Sequence, residues 1–186
     1  MCIRDRCRVA PGDVATDKKG NIFYVYNGLI PKRSPNYSWD KILPGNNSSL
    51  IWTDYYSFDE LPQSTNPASG YLQNCNSTPY LATVGKGNPT KTLPNNTGIE
   101  EYQTNRAFRA NELFGSDNSI SKNDFYKYKY DTYYSDNSVM AYARDKFISE
   151  FTTDDSKLIS ALKVLKEWDL GNQKTNTGAA IALSLI

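Results

Sequence analysis

The hydrophobic pattern divides the chain into two textures. Across residues 10–98 the apolar residues come in short clusters, separated by Pro, Gly, Asn and Ser. "NIFYVYNG" (21–28) comes after the turn "DKKG" and consists largely of β-formers, which predicts a strand. "SLIWTDYY" (49–56) is a second candidate strand. "GYLQNCN" (70–76), entered from the turn "NPASG", is a third. The stretches "PKRSPNY", "LPGNNSS", "LPQSTNPASG" and "GKGNPTKTLPNNTG" read as loops. Loops outweigh strands, as in a region wrapped over a larger body.

Across residues 99–186 the spacing becomes helical. In residues 99–114, Tyr102, Phe108, Ala110 and Leu113 are candidate buried positions, with Gly115 as a C-terminal stop. Ser121 and Asp124 form a capping pair for the next helix. Met140, Ala143, Phe147 and Phe151 share one face of a third helix. Leu158, Leu162, Leu165 and Trp168 form the clearest stripe, with acidic residues crowding that helix's first turn. These stripes read as core. The fold class expected is α+β, with a β/loop-rich first half (about 10–98) and a helical second half (about 99–186).

Composition narrows the chemistry. The mean hydropathy of −0.62 is polar, yet 13% of residues are aromatic, including 14 Tyr and 3 Trp. Disordered chains are poor in aromatics, so the chain folds around large rings. With 21 Lys+Arg against 20 Asp+Glu, the net charge of +1 sets up no strong field toward nucleic acid or an anionic membrane. The histidine count is 0, which removes a Ser-His-Asp triad, a Cys–His pair and His-ligated zinc from what this chain can supply. Cys75 has no Lys or Arg nearby in sequence to favour its thiolate, and reads as a small buried hydrophobe. No apolar run approaches the length of a membrane span, about 20 residues.

Both ends read as cut. "MCIRDR" is unlike the rest of the chain, so residues 1–9 are expected to be non-native. "TGAAIALSLI" is a rising apolar pattern with no stop signal. Residues 10–186 are therefore expected to be a partial domain, truncated at both ends. No phosphate-binding loop is present, because "GKGNPTKT" lacks the Walker spacing; "DTYYSDNS" lacks the Gly and Glu of a calcium-binding EF-hand loop. "KNDFYKYKYDTYY" interleaves aromatics with lysines but reads as a solvated, packed helix.

The order of motifs across residues 10–80 is more specific than any one of them. Asp17, Gly20, Asn21, Ile22 and Tyr24 form "D-x-x-G-N-I-x-Y", and Gly28, Pro31 and Arg33 form "G-x-x-P-x-R". Trp52 comes next, then Leu61 and Pro62, then "NPASGYLQNCN" with Asn66, Pro67, Gly70, Tyr71, Leu72, Asn74 and Asn76. This series resembles the β-chain of the penicillin amidase family. "TNRAFRANELF" (104–114) resembles the segment that carries the family's active-site arginine, and "LKVLKEWD" with "TGAAIALSLI" resembles a later region. Together the matches cover nearly all of residues 10–186.

The resemblance implies a fragment of an αββα N-terminal nucleophile hydrolase that cleaves linear amide bonds. Its nucleophile would be an N-terminal Ser, freed by self-cleavage upstream of these residues, with its own α-amino group as base. That chemistry has no need of histidine. Asn76 matches the oxyanion-hole asparagine; on its residue type alone it could equally cap the turn before Pro79. Arg106 matches the site-organising arginine, with Arg109 as the competing assignment and a surface ion pair to Glu101 or Glu112 as the bland one. Arg33 reads as structural, bonding loop carbonyls. A structural Ca²⁺ occurs in some intact members; its ligands are not found in this sequence, so no cofactor is assigned. The implied partners are the rest of the β-chain, the α-chain of the same precursor and a small amide substrate, in the periplasm or after secretion. The alternative is an aromatic-rich glycan- or peptide-binding module, or a non-catalytic homologue.

Overall fold

The computed structural model describes residues 12–184. The expectations about residues 1–9 and the last two residues lie outside them. The chain forms two compact units, Met1–Gln103 and Thr104–Ile186.

The first unit is built on a three-stranded antiparallel sheet in the order β1 (Asp13–Thr16), β2 (Ile22–Val25), β3 (Gln63–Thr65). β1 and β2 form a hairpin with Ala15 opposite Phe23, and β3 places Thr65 opposite Phe23 on the other side. The hairpin turn is closed by Asp17. Its carboxylate accepts the N–H groups of Lys19 and Asn21 at 2.8 and 2.9 Å and the Asn21 amide at 2.7 Å. Gly20, at φ 85°, supplies the left-handed step. Val25, Ile30, Leu61 and Leu93 form a core, joined by Phe23, Tyr26, Tyr56 and Ile99. Tyr24 is buried as well, with its ring against Gly12, where a Cβ would come within 2.5 Å of it.

Two of the three expected strands differ. In residues 49–56 only a 3₁₀ turn (Ser48–Leu50) and an isolated bridge between Pro31 and Tyr55 form. Proline has no N–H to extend that bridge into a ladder. Residues 70–76 are not a strand either. The backbone turns left-handed at Gly70 and Asn76, and Gln73 bonds to a loop instead of a sheet. The third strand falls at residues 63–65, in a stretch that reads as loop. β1 leaves no mark in the sequence pattern because all four of its residues are exposed, so it carries no alternation of burial.

The second unit has five helices among the described residues: α1 (Asn105–Ser116), α2 (Lys122–Lys129), α3 (Val139–Glu150), α4 (Ser156–Lys166) and α5 (Thr177–Leu183). Their starts obey local chemistry. Thr104, Ser138 and Asn176 accept the N–H of Ala107, Ala141 and Ala179. Ser121 and Asp124 complete the expected capping box. Met140, Ala141, Leu165, Trp168, Leu170, Ala179 and Ala182 form the core, with Tyr134, Phe147, Ile148 and Ile181 packed on it. The Trp168 indole N–H donates to the Gly171 carbonyl at 2.8 Å, which satisfies the one polar atom of the buried ring.

The helices differ from the stripes in detail. α1 begins at Asn105, not near residue 99, because Thr104 caps it. Its buried position is Ala107; Tyr102 lies outside the helix and is 57% exposed, and Gly115 sits within the helix. In α4, Leu165 is buried and Trp168 just beyond it anchors the core, but Leu158 is 46% exposed. Asp155 serves as that helix's N-cap, with no acidic residue inside the first turn. The mixture of a small sheet unit and a helical unit is α+β. No helix among the described residues is long and apolar enough to cross a membrane.

Candidate active site

The segment from Gly70 to Leu81 is extended, bent and anchored at both ends. On one side Gln73, 7% exposed, donates its backbone N–H to the Ala82 carbonyl and its side-chain amide to the Leu81 carbonyl, both at 2.8 Å. On the other, the buried Thr78 donates its N–H to the Tyr102 carbonyl at 3.0 Å and caps the short 3₁₀ turn Pro79–Leu81. Between these anchors the chain turns outward at Asn76, whose φ is 55°. Asparagine is one of few non-glycine residues that adopt this left-handed conformation readily. Asn76 is exposed, on a bend held by buried neighbours.

Asn74 sits beneath that bend. Its side-chain oxygen accepts the Asn76 N–H at 3.3 Å, and its side-chain N–H₂ donates to the Gly12 carbonyl. Cys75, between them, is half-buried rather than fully buried. Farther back, Asn66 (φ 47°) accepts the Ile22 N–H through its side chain at 2.8 Å. That bond ties the "NPASG" turn to the sheet.

The three arginines raised by the sequence have different settings. Arg33 lies between the rings of Trp39 and Trp52, 5.4 and 5.1 Å from their centroids, and donates to the Asn96 carbonyl at 3.2 Å. Gly98 (φ 81°) packs against it; a Cβ there would come within 2.8 Å of the guanidinium. Arg33 is a structural residue.

Arg109 is also engaged. It makes a two-pronged contact to Asp131 at 2.8 and 2.9 Å, reaches Glu112 at 2.8 Å, and lies over the Tyr133 ring. The bonds from Asp131 raise its pKa further above the ordinary arginine value. Glu112 also accepts the hydroxyl of the fully buried Ser135, so the network joins α1 to residues 131–135. Glu112 pairs with Arg109 at 2.8 Å, and Glu101 with Lys91 at 2.6 Å. Arg106 is exposed on the first turn of α1. Asn76 belongs to the first unit and Arg106 to the second.

The sequence points to Asn76 but not to the pairing beneath it. A signal for Asn74 does exist: Asn two residues before a turn residue is the spacing of an Asx turn. No such signal marks Gln73, whose partners lie eight and nine residues on. Among the described residues no group of three or more His, Cys, Asp or Glu side chains comes together in a way that could hold a metal ion.

The sequence profile described as penicillin amidase matches residues 12–185. The chain belongs to the penicillin amidase family. Among solved structures, thermostable penicillin G acylase from Alcaligenes faecalis matches with a TM-score of 0.58 at 23% identity. The match covers 87% of this chain and 28% of that one, and at this identity it is a likeness of fold. The chain therefore spans less than a third of that acylase chain's length.

Proposed function

We propose that this chain is part of an acylase that hydrolyses a linear C–N amide bond. Its substrates would be amides of the penicillin, acyl-homoserine-lactone or lipopeptide kind. The observation that carries the reading is Asn76: an exposed amide on an anchored left-handed bend, within a chain of the penicillin amidase family.

The reaction can be built from the groups such a protein supplies. An N-terminal Ser, upstream of these residues and released by self-cleavage, attacks the amide carbon. Its α-amino group takes the hydroxyl proton and passes it to the leaving amine. Negative charge grows on the former carbonyl oxygen, and the Asn76 side-chain N–H stabilises it. An amide serves because it donates a directed hydrogen bond, brings no charge to desolvate and does not intercept the proton. Water then hydrolyses the acyl-enzyme. In this reading Arg106 is the site-organising arginine. The rest of the precursor's β- and α-chains completes the acyl pocket, and the mature protein works in the periplasm or outside the cell.

The second reading is an aromatic-rich glycan- or peptide-binding module. The three tryptophans do not favour it, since Trp39 and Trp52 enclose Arg33 and Trp168 is a core residue, while exposed rings such as Tyr102, Tyr130 and Tyr142 do. The test uses the full-length protein, followed for self-cleavage and for release of a chromogenic acyl-anilide. Asn76→Ala should still fold but lose about 10²–10³-fold in kcat. An unprocessed precursor, or an Asn76→Ala protein as active as wild type, would reject the reading.

A further inference from the structure

The oxyanion role asks that the Asn76 amide be held still before substrate arrives, because preorganised donors stabilise a transition state without reorganising. A bend outside any sheet does not hold itself. Residues 70–76 lie in no strand, so no sheet ladder fixes the direction of the left-handed Asn76, and that direction depends on bonds from within the segment. Gln73 fixes the register of the segment but touches the backbone of residues 81 and 82. Asn74 reaches Asn76 itself.

We infer that Asn74 is a positioning residue for Asn76, an inference that rests on the oxyanion reading above. Its side-chain oxygen accepts the Asn76 N–H and so closes the turn that sets the left-handed conformation. Its N–H₂ donates to the Gly12 carbonyl, which keeps the side chain from swinging away. Both functions need one neutral amide. Alanine supplies neither, and serine is too short to span both partners. Aspartate keeps the acceptor but turns a charged oxygen toward the Gly12 carbonyl. The Gly12 bond also joins the candidate oxyanion residue to the residue that enters β1, so the bend and the sheet hairpin share one anchor.

The experiment uses the full-length protein with four variants: Asn74→Ala, Asn74→Asp, Asn76→Ala and the Asn74→Ala/Asn76→Ala double. Each is quantified as processed enzyme, and kcat and KM are measured on an acyl-anilide beside the thermal midpoint. Asn74→Ala should lose about 10- to 100-fold in kcat at nearly unchanged KM, the scale of a displaced reacting group. Asn74→Asp should lose less, and the double variant should be no slower than Asn76→Ala alone. A purely structural Asn74 would lower the thermal midpoint but leave kcat per processed molecule unchanged, and that result overturns the inference. So does a double variant whose losses multiply, or a loss in Asn74→Ala with none in Asn76→Ala. If Asn74→Ala does not fold, the aspartate variant decides, and a loss as deep as that of Asn76→Ala rejects the inference. Wild-type activity in both single alanine variants would instead reject the oxyanion reading itself.

Discussion

Arg106 and Arg109 stand one helical turn apart on α1, and their different surroundings separate their effects. Arg109 bonds two carboxylates while only 22% of its side chain is exposed, and Asp131 is 14% exposed. Removing one partner leaves a largely desolvated charge behind. Arg109→Ala should therefore destabilise the fold by roughly 3 kcal/mol, read as a lower thermal midpoint, with kcat per folded molecule unchanged. Arg106 is exposed, so Arg106→Ala should alter stability less than Arg109→Ala does. If it organises the site it should lower kcat by about tenfold or more. The reverse pattern would move the assignment to Arg109. Both arginines are legible as candidates in the sequence; what distinguishes them, Asp131, lies 22 positions along the chain from Arg109.

At the scale of elements, the end of α4 and α5 meet through Trp168 and a glycine. Gly178 is buried in α5, and a Cβ there would come within 2.6 Å of the Trp168 side chain. Gly178→Ala should thus cost about 1–3 kcal/mol by overpacking, although alanine is the better helix former. Urea denaturation would check this, and a stabilised variant would show that the two elements can separate without penalty. The helices are largely legible in the sequence because their signals are local. Ser121 finds its capping partner three residues on, and Leu165 and Trp168 belong to one stripe. The strands are less legible. β3 is three residues long and becomes a strand by pairing with Phe23, Tyr24 and Val25, far back in the chain.

For the whole molecule, the charge pattern predicts a specific response to pH. With a histidine count of 0, no side chain has an ordinary pKa between about 5 and 8, so stability should be flat across that range. Several carboxylates are held below their usual values by hydrogen bonds. Asp169 is lowered by the Gly171 N–H and the Asn176 amide, Asp17 by Asn21, and Glu60 by the Ser57 N–H. A carboxyl with a depressed folded pKa stabilises the fold above its unfolded value and loses that contribution as pH falls through the folded one. The urea midpoint should accordingly begin to fall below about pH 4, and Asp169→Asn should weaken the dependence. A midpoint that changes between pH 6 and 8 would contradict this. By itself the sequence determined the helical character of the second half, the Ser121–Asp124 capping box, that this chain supplies no histidine, and the ordered motifs that mark Asn76 and Arg106 as candidates. All of these are set by residues within a turn or two of each other, by residue type, or by the order of short motifs. Tertiary structure decided which short segments pair as strands, that Arg109 is held by Asp131, and that Asn76 turns left-handed over Asn74. Those outcomes depend on partners brought together from distant positions, such as the Gly12 carbonyl, 62 residues before the Asn74 amide it accepts from.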